Sequence, residues 1–539
     1  MKFKSKKIAF SVFPVLFFAF ATLGTICAQS LPSDMPHLIK KDGRHVLIVD
    51  SEPFLILGGQ CGNSSAWPEM LPNLWKVMED MHANTLEIPI YWEQLEPIQE
   101  QYDFSMIQTL LDQAQEHHMR LVLLWFGTWK NGSNHYMPVW MKKNAAKYPN
   151  ITGKDGKPVD SPSPHSQATL QADCHAFAQF MGYLKKADTH HTVIMMQVEN
   201  EPGTWGSMRD YSANAQKLFE QSVPKTLLNS AVLKQLNIPA GTKGTWSEVF
   251  GNRADEYFHA WSVASFIEQV AKAGKAVYPI PMYVNVALRD PLTNPMATEY
   301  ESGGATDNVI PIWKVAAPSI DLLAPDIYLQ GDEKVLKVID LYARDDNALM
   351  VPETYSNTKY LYSIISRGIC YSPFGVDTRW RQAGNIKNSV ADEYKILSPM
   401  SRQLAKWSFE GRTYAVIEPQ DHSEQRIGLG NWEAVITFEN GGHFGPAQDK
   451  SKLQSATGKV LIIKLNDDEF ITTGINCHIT FVPIGINKGK AWQYLQVKEG
   501  RYEEGQFKAT RILNGDQTDW GGPSIGEEPV LLDITLTTR

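Results

Sequence analysis

Between Pro53 and Phe374 the chain alternates two textures. Short apolar runs rich in β-branched and aromatic residues are followed by longer stretches whose apolar positions recur every three or four residues. The first pattern is that of strands buried on both faces, the second that of amphipathic helices laid over them. The spacing predicts strands at Phe54–Gly58, Thr85–Ile90, Arg120–Trp125, Val193–Val198, Met282–Val286, Leu322–Ile327, Ala348–Val351 and Ile369–Tyr371. Helical periodicity covers Trp75–Met81, Met106–His117 and Ala168–Lys186. Eight strands alternating with helices predict an α/β chain folded as a (β/α)8 TIM barrel.

Two stretches interrupt the alternation. Met208 to Ala273 is helical in pattern and longer than one crossover needs, which predicts an insertion or an extended fourth helix. Asn150–Gln167 is rich in Gly, Pro and Ser and reads as an irregular loop, of the kind that shapes a binding site above a barrel. Ala391–Phe409 reads as a closing helix. From Arg412 onward the runs are short, alternating and broken by turn residues. There Val460–Leu465 and Phe470–Thr473, joined through Asn466-Asp467-Asp468, predict a hairpin within a β-sandwich-type domain. Upstream, His45–Val49 and the strand after Ser51-Glu52 predict a second hairpin that plugs the barrel base. The expected organisation is a leader over 1–28, an extension over 29–51, a barrel over 52–410 and a β domain over 411–539.

The leader changes the picture of charge and location. Lys2, Lys4, Lys6 and Lys7 precede a nearly unbroken apolar run from Ile8 to Leu23, and cleavage after Ala28 would make this an export signal. The run is shorter than the ~20 residues of a membrane span, so no membrane helix is expected in the mature chain. Cys27 raises lipid attachment, but the large Ile26 before it suits that signal poorly; a periplasmic or extracellular location is expected. Loss of four lysines takes the formal charge from −8 to −12, which argues against nucleic acid and anionic membranes as partners and suits a neutral ligand. Cys61, Cys174, Cys370 and Cys477 lie far apart with no Cys-x-x-Cys, so structural zinc is unsupported. No metal or other cofactor is expected.

Chemistry concentrates at two strand ends. The fourth strand stops in Gln197-Val198-Glu199-Asn200-Glu201, and the seventh in Val351-Pro352-Glu353-Thr354-Tyr355. Polar groups that end an apolar barrel strand stand at the C-terminal rim, where barrel active sites sit. Strand alternation points Glu199 and Glu201 to one side, with a twist at the strand end able to bring Asn200 and Glu201 together over the mouth. Strands four and seven lie nearly across the barrel. Two carboxylates placed there can divide the cleavage of a glycosidic bond, one protonating the departing oxygen and the other attacking the sugar carbon or activating water.

Asn-Glu after strand four with Glu after strand seven resembles the clan of retaining TIM-barrel glycosidases. More narrowly, Pro53-Phe54-Leu55-Ile56-Leu57-Gly58-Gly59, Asn84-Thr85-Leu86-Glu87, Trp92, Glu96-Pro97 and Tyr102-Asp103-Phe104 resemble glycoside hydrolase family 35, the β-galactosidases. Asp468-Glu469-Phe470 and Leu513-Asn514-Gly515-Asp516 resemble a domain of unknown function from one bacterial branch. The resemblance implies Glu201 as acid/base, its pKa raised, and Glu353 as an ionised nucleophile. It implies Asn200 on the sugar 2-hydroxyl and Tyr328 as the donor that orients Glu353. The expected activity is an exo-acting β-galactosidase on side chains of plant-type polysaccharides or their oligosaccharides.

The chain departs from that family at two places. Trp125-Phe126-Gly127-Thr128-Trp129 stands where family 35 carries a Cys-Ala-Glu-Trp run, and Pro89 stands at its strand-two Tyr, with Tyr91 two residues on. Trp125, Trp129 and Trp380 are the candidate stacking platforms, and Tyr91 a candidate sugar contact. An arabinosidase, xylosidase or endo-glycanase of the same clan, or a carbohydrate-binding barrel without catalysis, stays open, as does the oligomeric state. The pairs His117-His118 and His190-His191 read as solvated helix ends. Gly428-Leu429-Gly430 lacks a dinucleotide fingerprint, and the sequence has no Gly-x-Ser-x-Gly elbow.

Overall fold

A computed structural model describes residues 34–378, 389–438 and 456–539, and 34–539 form one compact unit. The leader, Cys27 and Trp380 lie outside the described residues. Eight parallel strands make the barrel: β1 (Ile56–Gln60), β2 (Thr85–Tyr91), β3 (Arg120–Lys130), β4 (Val193–Asn200), β5 (Met282–Ala287), β6 (Leu322–Asp326), β7 (Met350–Thr354) and β8 (Cys370–Pro373). Each coincides with a predicted run to within a few residues. The sheet order β6-β5-β4-β3-β2-β1-β8-β7 closes on itself where Ile327 pairs with Thr354. There the Ile327 N–H donates to the Glu353 carbonyl at 2.8 Å. The fold is a TIM barrel, as the alternation predicts.

The strands are buried on both faces because helices cover the outside and side chains fill the inside. Outer helices include α1 (Leu71–Asp80), α2 (Ser105–Glu116), α3 (Gln167–Ala187), α4 (Ala254–Val277), α5 (Ile310–Ala316), α6 (Asp332–Tyr342) and α7 (Leu361–Ile365). The long stretch after β4 resolves into three short helices (Ala213–Phe219, Ser230–Gln235 and Trp246–Phe250) ahead of α4. The irregular loop contains a small antiparallel pair, Asn150–Thr152 with Pro158–Pro162, before Ser166 caps α3 by accepting from the Thr169 N–H. The predicted closing helix is two helices, Ser389–Leu397 and α8 (Ser401–Phe409), split by a 3-10 turn at Ser398–Met400. Pro399, which lacks an N–H, accounts for the break.

At the base, His37–Lys41, Arg44–Val49 and Glu52–Phe54 form a three-stranded antiparallel sheet, one strand more than the predicted hairpin. Asp50 anchors it by accepting from Arg120, the first residue of β3, at 2.6 Å and from Arg402 of α8 at 2.8 Å.

The C-terminal region holds a six-stranded and a four-stranded antiparallel sheet, with the predicted hairpin as Lys459–Lys464 paired to Glu469–Ile475. Alternation along Val460-Leu461-Ile462-Ile463 explains why this run is apolar throughout. Val460 and Ile462 join the core between the two sheets, while Leu461 and Ile463 join the barrel core. This strand of the six-stranded sheet is thus buried on both faces. At that seam the Lys459 ammonium donates to Glu393 at 2.6 Å and to the Thr358 hydroxyl at 2.8 Å, both charged side chains being at most 2% exposed.

Candidate active site

The strand ends bring carboxylates to one point. One oxygen each from Glu201, Asp326 and Glu353 lie within 4.8 Å of one another at the C-terminal end of the barrel. Glu353 sits in β7 and is 6% exposed. Its Oε1 accepts from the Tyr328 phenol at 2.8 Å and its Oε2 from the Gln60 amide at 3.1 Å, so both oxygens are oriented from β1 and from just beyond β6. Glu201, half-buried, follows β4 directly. Its backbone N–H donates to Asn285 Oδ1 at 2.8 Å, and Asn285 Nδ2 donates to Asp326 Oδ2 at 2.7 Å. One oxygen of the Asp326 carboxyl and one of the Glu201 carboxyl face each other within 4.8 Å. A divalent cation could bridge three oxygens so spaced. Amide and phenol donors already meet the carboxyls of Glu353 and Asp326.

The end of β4 does not continue as an ideal strand. Glu199 and Glu201 have φ of 63° and 43°, in the left-handed region. This turns the side chains apart from the expected alternation. Glu199 points away from Glu201 into the layer behind the strand, where its Oε2 accepts the Trp129 N–H at 2.7 Å and it meets the carboxyl of Asp173 on α3. Asn200 is fully buried, and neither atom of its amide has a hydrogen-bond partner among the described residues. Asn131 and Gly132, beyond β3, hold the turn by donating to the carbonyls of Asn200 and Glu201, each at 3.1 Å. Gly132 has φ of 73°, and a side chain there would run into Glu301 Oε1.

Burial governs the electrostatics. It pushes Glu353 up to about 7, with the negative charge of Glu201 adding to it, while Lys130, Tyr328 and Gln60 pull the other way. Asp326 is held well above the ordinary carboxylate range by burial first, then by Glu353 and Glu201. Glu301, on the loop after β5, is raised by burial and by Glu201, and neither of its oxygens has a partner among the described residues. Deeper in the barrel, burial pushes Glu87 up to about 8; Tyr283 and the Cys370 thiol approach its oxygens at 3.5 Å. The upward shift of Glu353 runs against the expectation of a plainly ionised nucleophile. Its first cause is burial, to which the charge of Glu201 adds.

The aromatic expectations fare differently from the polar ones. Trp125 is fully buried behind β3, its Nε1 donating to Asp173 at 2.9 Å and its ring against Phe177 and Phe180 of α3. It therefore presents no face to a sugar. Trp129 is also fully buried, edge-on to Phe266 of α4. Tyr91 is buried on Tyr136, and its hydroxyl accepts from the Ala66 N–H. In all three, the side chain lies in the packed shell around the mouth. Among the described residues, the exposed Trp and Tyr rings on loops after barrel strands are Trp67, Trp205 and Tyr355. Sequence reasoning missed these three, together with Gln60, Asn285 and Asp326. The last three carry the same signal that flagged Glu201, a polar residue at or near the end of an apolar barrel strand.

Comparisons with known proteins accord with this geometry. Residues 63–253 match the glycoside hydrolase 42 family model, described as Beta-galactosidase. Residues 390–522 match a Domain of unknown function (DUF5597). Among solved structures the chain is similar to a β-galactosidase from Bacillus circulans sp. alkalophilus, at 13% identity over 65% of this chain and 57% of that one, TM-score 0.48. A β-galactosidase from Rahnella sp. R3 gives 16% identity over 68% and 59%, TM-score 0.46. The catalytic domain of a β-amylase from Paenibacillus polymyxa gives 12% over 60% and 92%, TM-score 0.43. The chain thus spans less than two thirds of either β-galactosidase. The narrower resemblance is corrected: the model that matches this segment is that of family 42, not of family 35. The broader expectation of a TIM barrel stands on the strand order itself.

Proposed function

We propose that the protein is a retaining glycoside hydrolase that removes terminal β-galactosyl units, with Glu201 as acid/base and Glu353 as nucleophile. The observation that carries this is the approach of their carboxylate oxygens to within 4.8 Å at the barrel mouth. Double displacement needs carboxyl groups about 5–5.5 Å apart, whereas inversion leaves about 6.5–9.5 Å for a water between them. The close approach supports the first mechanism.

Glu353 attacks the anomeric carbon while Glu201 protonates the leaving oxygen; water, deprotonated by Glu201, then releases the sugar. Tyr328 and Gln60 hold the Glu353 carboxylate in one plane for that attack. Asn200, buried with its amide unpaired, is placed one residue before Glu201 to hydrogen-bond the sugar 2-hydroxyl. The family-42-type segment supports galactose as the sugar. The leader supports an exported enzyme, and side chains of plant-type polysaccharides or their oligosaccharides are the proposed source of substrate.

Kinetics on matched nitrophenyl glycosides test this, with the galactoside expected to lead arabinoside, xyloside and glucoside. Proton NMR of the first-formed sugar should show retained β-configuration. Activity confined to long β-glucans, or inverted product, would reject the proposal.

A further inference from the structure

Asp326 is a third carboxyl in contact with the two that the mechanism uses. It ends β6, is 2% exposed, and accepts from Asn285 through Oδ2, while Oδ1 meets no N–H or O–H donor among the described residues. One of its oxygens lies within 4.8 Å of one of Glu201, and two carboxyls that meet need a proton between them, because an ionised carboxylate only accepts. Asn285 ties the two together, bonding the Glu201 backbone with its oxygen and Asp326 with its nitrogen. The charged and titratable groups facing Asp326 include Glu353, Glu201, Tyr283, Tyr328 and Tyr342, while the cation of the cluster, Lys130, acts on Glu353. Burial beside two other carboxylates favours the protonated acid.

We propose that Asp326 supplies a second proton to Glu201 while Glu201 delivers its own. The inference rests on Glu201 as acid/base. As the bond from the anomeric carbon to the leaving oxygen breaks, that oxygen takes the proton from Glu201. The Asp326 proton passes to the other Glu201 oxygen, and a Glu353 electron pair forms the ester. Asp326 is left ionised and Glu353 neutral, so the negative charge moves from one to the other without a net change. In the second step water gives its proton to Glu201, the proton held on the other oxygen returns to Asp326, and hydroxide opens the ester. Proton transfer is tied to Glu353 chemistry because the Glu353 charge is one of the causes that keep Asp326 protonated. Asp326 is a positioning residue that acts through Glu201.

Asp326→Asn tests this. Asparagine keeps the shape and can still donate a hydrogen bond to Glu201, but has no proton to transfer. With phenyl β-galactoside, whose leaving group needs protonation, kcat/KM should fall about 30-fold or more, within the range of general acid catalysis. With 2,4-dinitrophenyl β-galactoside it should stay within about threefold. Wild-type kcat/KM on the phenyl substrate, measured across H2O–D2O mixtures, should curve as two moving protons require, and this holds even if the variant does not fold. A folded variant that keeps wild-type activity on both substrates, or loses both equally, overturns the proposal, as does a linear isotope plot. Glu201→Ala separates this from the underlying reading. If it shows no leaving-group dependence and no rescue by azide, the assignment of Glu201 fails; if it shows both while Asp326→Asn does not, only the relay fails.

Discussion

The Tyr328 phenol donates to Glu353 Oε1 at 2.8 Å across the seam where β6 meets β7. Burial drives the Glu353 carboxyl toward its neutral form, and this bond opposes it. On the proposed mechanism, the pair sets where on the pH scale Glu353 becomes available as nucleophile.

Tyr328→Phe removes a donor to the charged form, so the Glu353 pKa should rise above about 7. Attack needs the ionised carboxylate, and activity is lost as pH falls through that pKa. The acidic limb of kcat/KM should therefore move to higher pH by about one unit, with a roughly tenfold loss at pH 6. A pH profile on 4-nitrophenyl β-galactoside checks this; an unmoved limb would separate Tyr328 from the nucleophile.

Glu87 gives a stability counterpart. Its folded pKa, about 8, lies above the ordinary carboxylate value. A raised carboxyl binds its proton more tightly in the folded state, so its contribution is complete at low pH and fades as pH rises toward 8. Glu87→Gln removes that titration. Relative to wild type, unfolding free energy of the variant should improve by at least about 1 kcal/mol between pH 5 and pH 8. Denaturant melts at the two pH values measure it.

How much of this was legible in the sequence follows from the kind of signal each residue gives. The strands were legible because burial on both faces leaves uninterrupted apolar runs, and Glu201 and Glu353 because charge at the end of such a run has few other uses. Gln60, Asn285 and Asp326 gave the same signal more quietly, in Ile-Leu-Gly-Gly-Gln, Tyr-Val-Asn-Val-Ala and Leu-Leu-Ala-Pro-Asp. The divergence of Glu199 from Glu201 was not legible, since it comes from left-handed backbone that Asn131, Gly132 and Asp173 impose from elsewhere. Trp125 and Trp129 misled because a tryptophan near a barrel mouth serves packing as readily as binding.

Those aromatics make a matched prediction. Trp125→Ala empties space between β3 and α3 and should cost about 3–5 kcal/mol of stability. Trp205 is 49% exposed four residues beyond Glu201, so Trp205→Ala should leave the melting temperature within about 1 °C. If the indole meets substrate, KM for a galactosyl oligosaccharide rises severalfold. Thermal melts and steady-state kinetics on the two variants distinguish packing from binding.

The seam between barrel and β domain depends on Lys459 and Glu393. Lys459→Met strands a buried carboxylate and should destabilise the protein by about 3–5 kcal/mol. Adding Glu393→Leu should recover much of that loss, because the uncompensated charge is removed. Denaturation of the single and double variants measures both.

The central claim is that Glu353 bonds to the sugar. Incubation with 2,4-dinitrophenyl 2-deoxy-2-fluoro-β-galactoside, followed by peptide mass mapping, tests it directly. A fluorogalactosyl ester on Glu353, absent in Glu353→Gln, is the predicted result. Time-dependent inactivation with the label on another residue, or turnover of β-galactosides that survives in Glu353→Gln at wild-type rate, would contradict it.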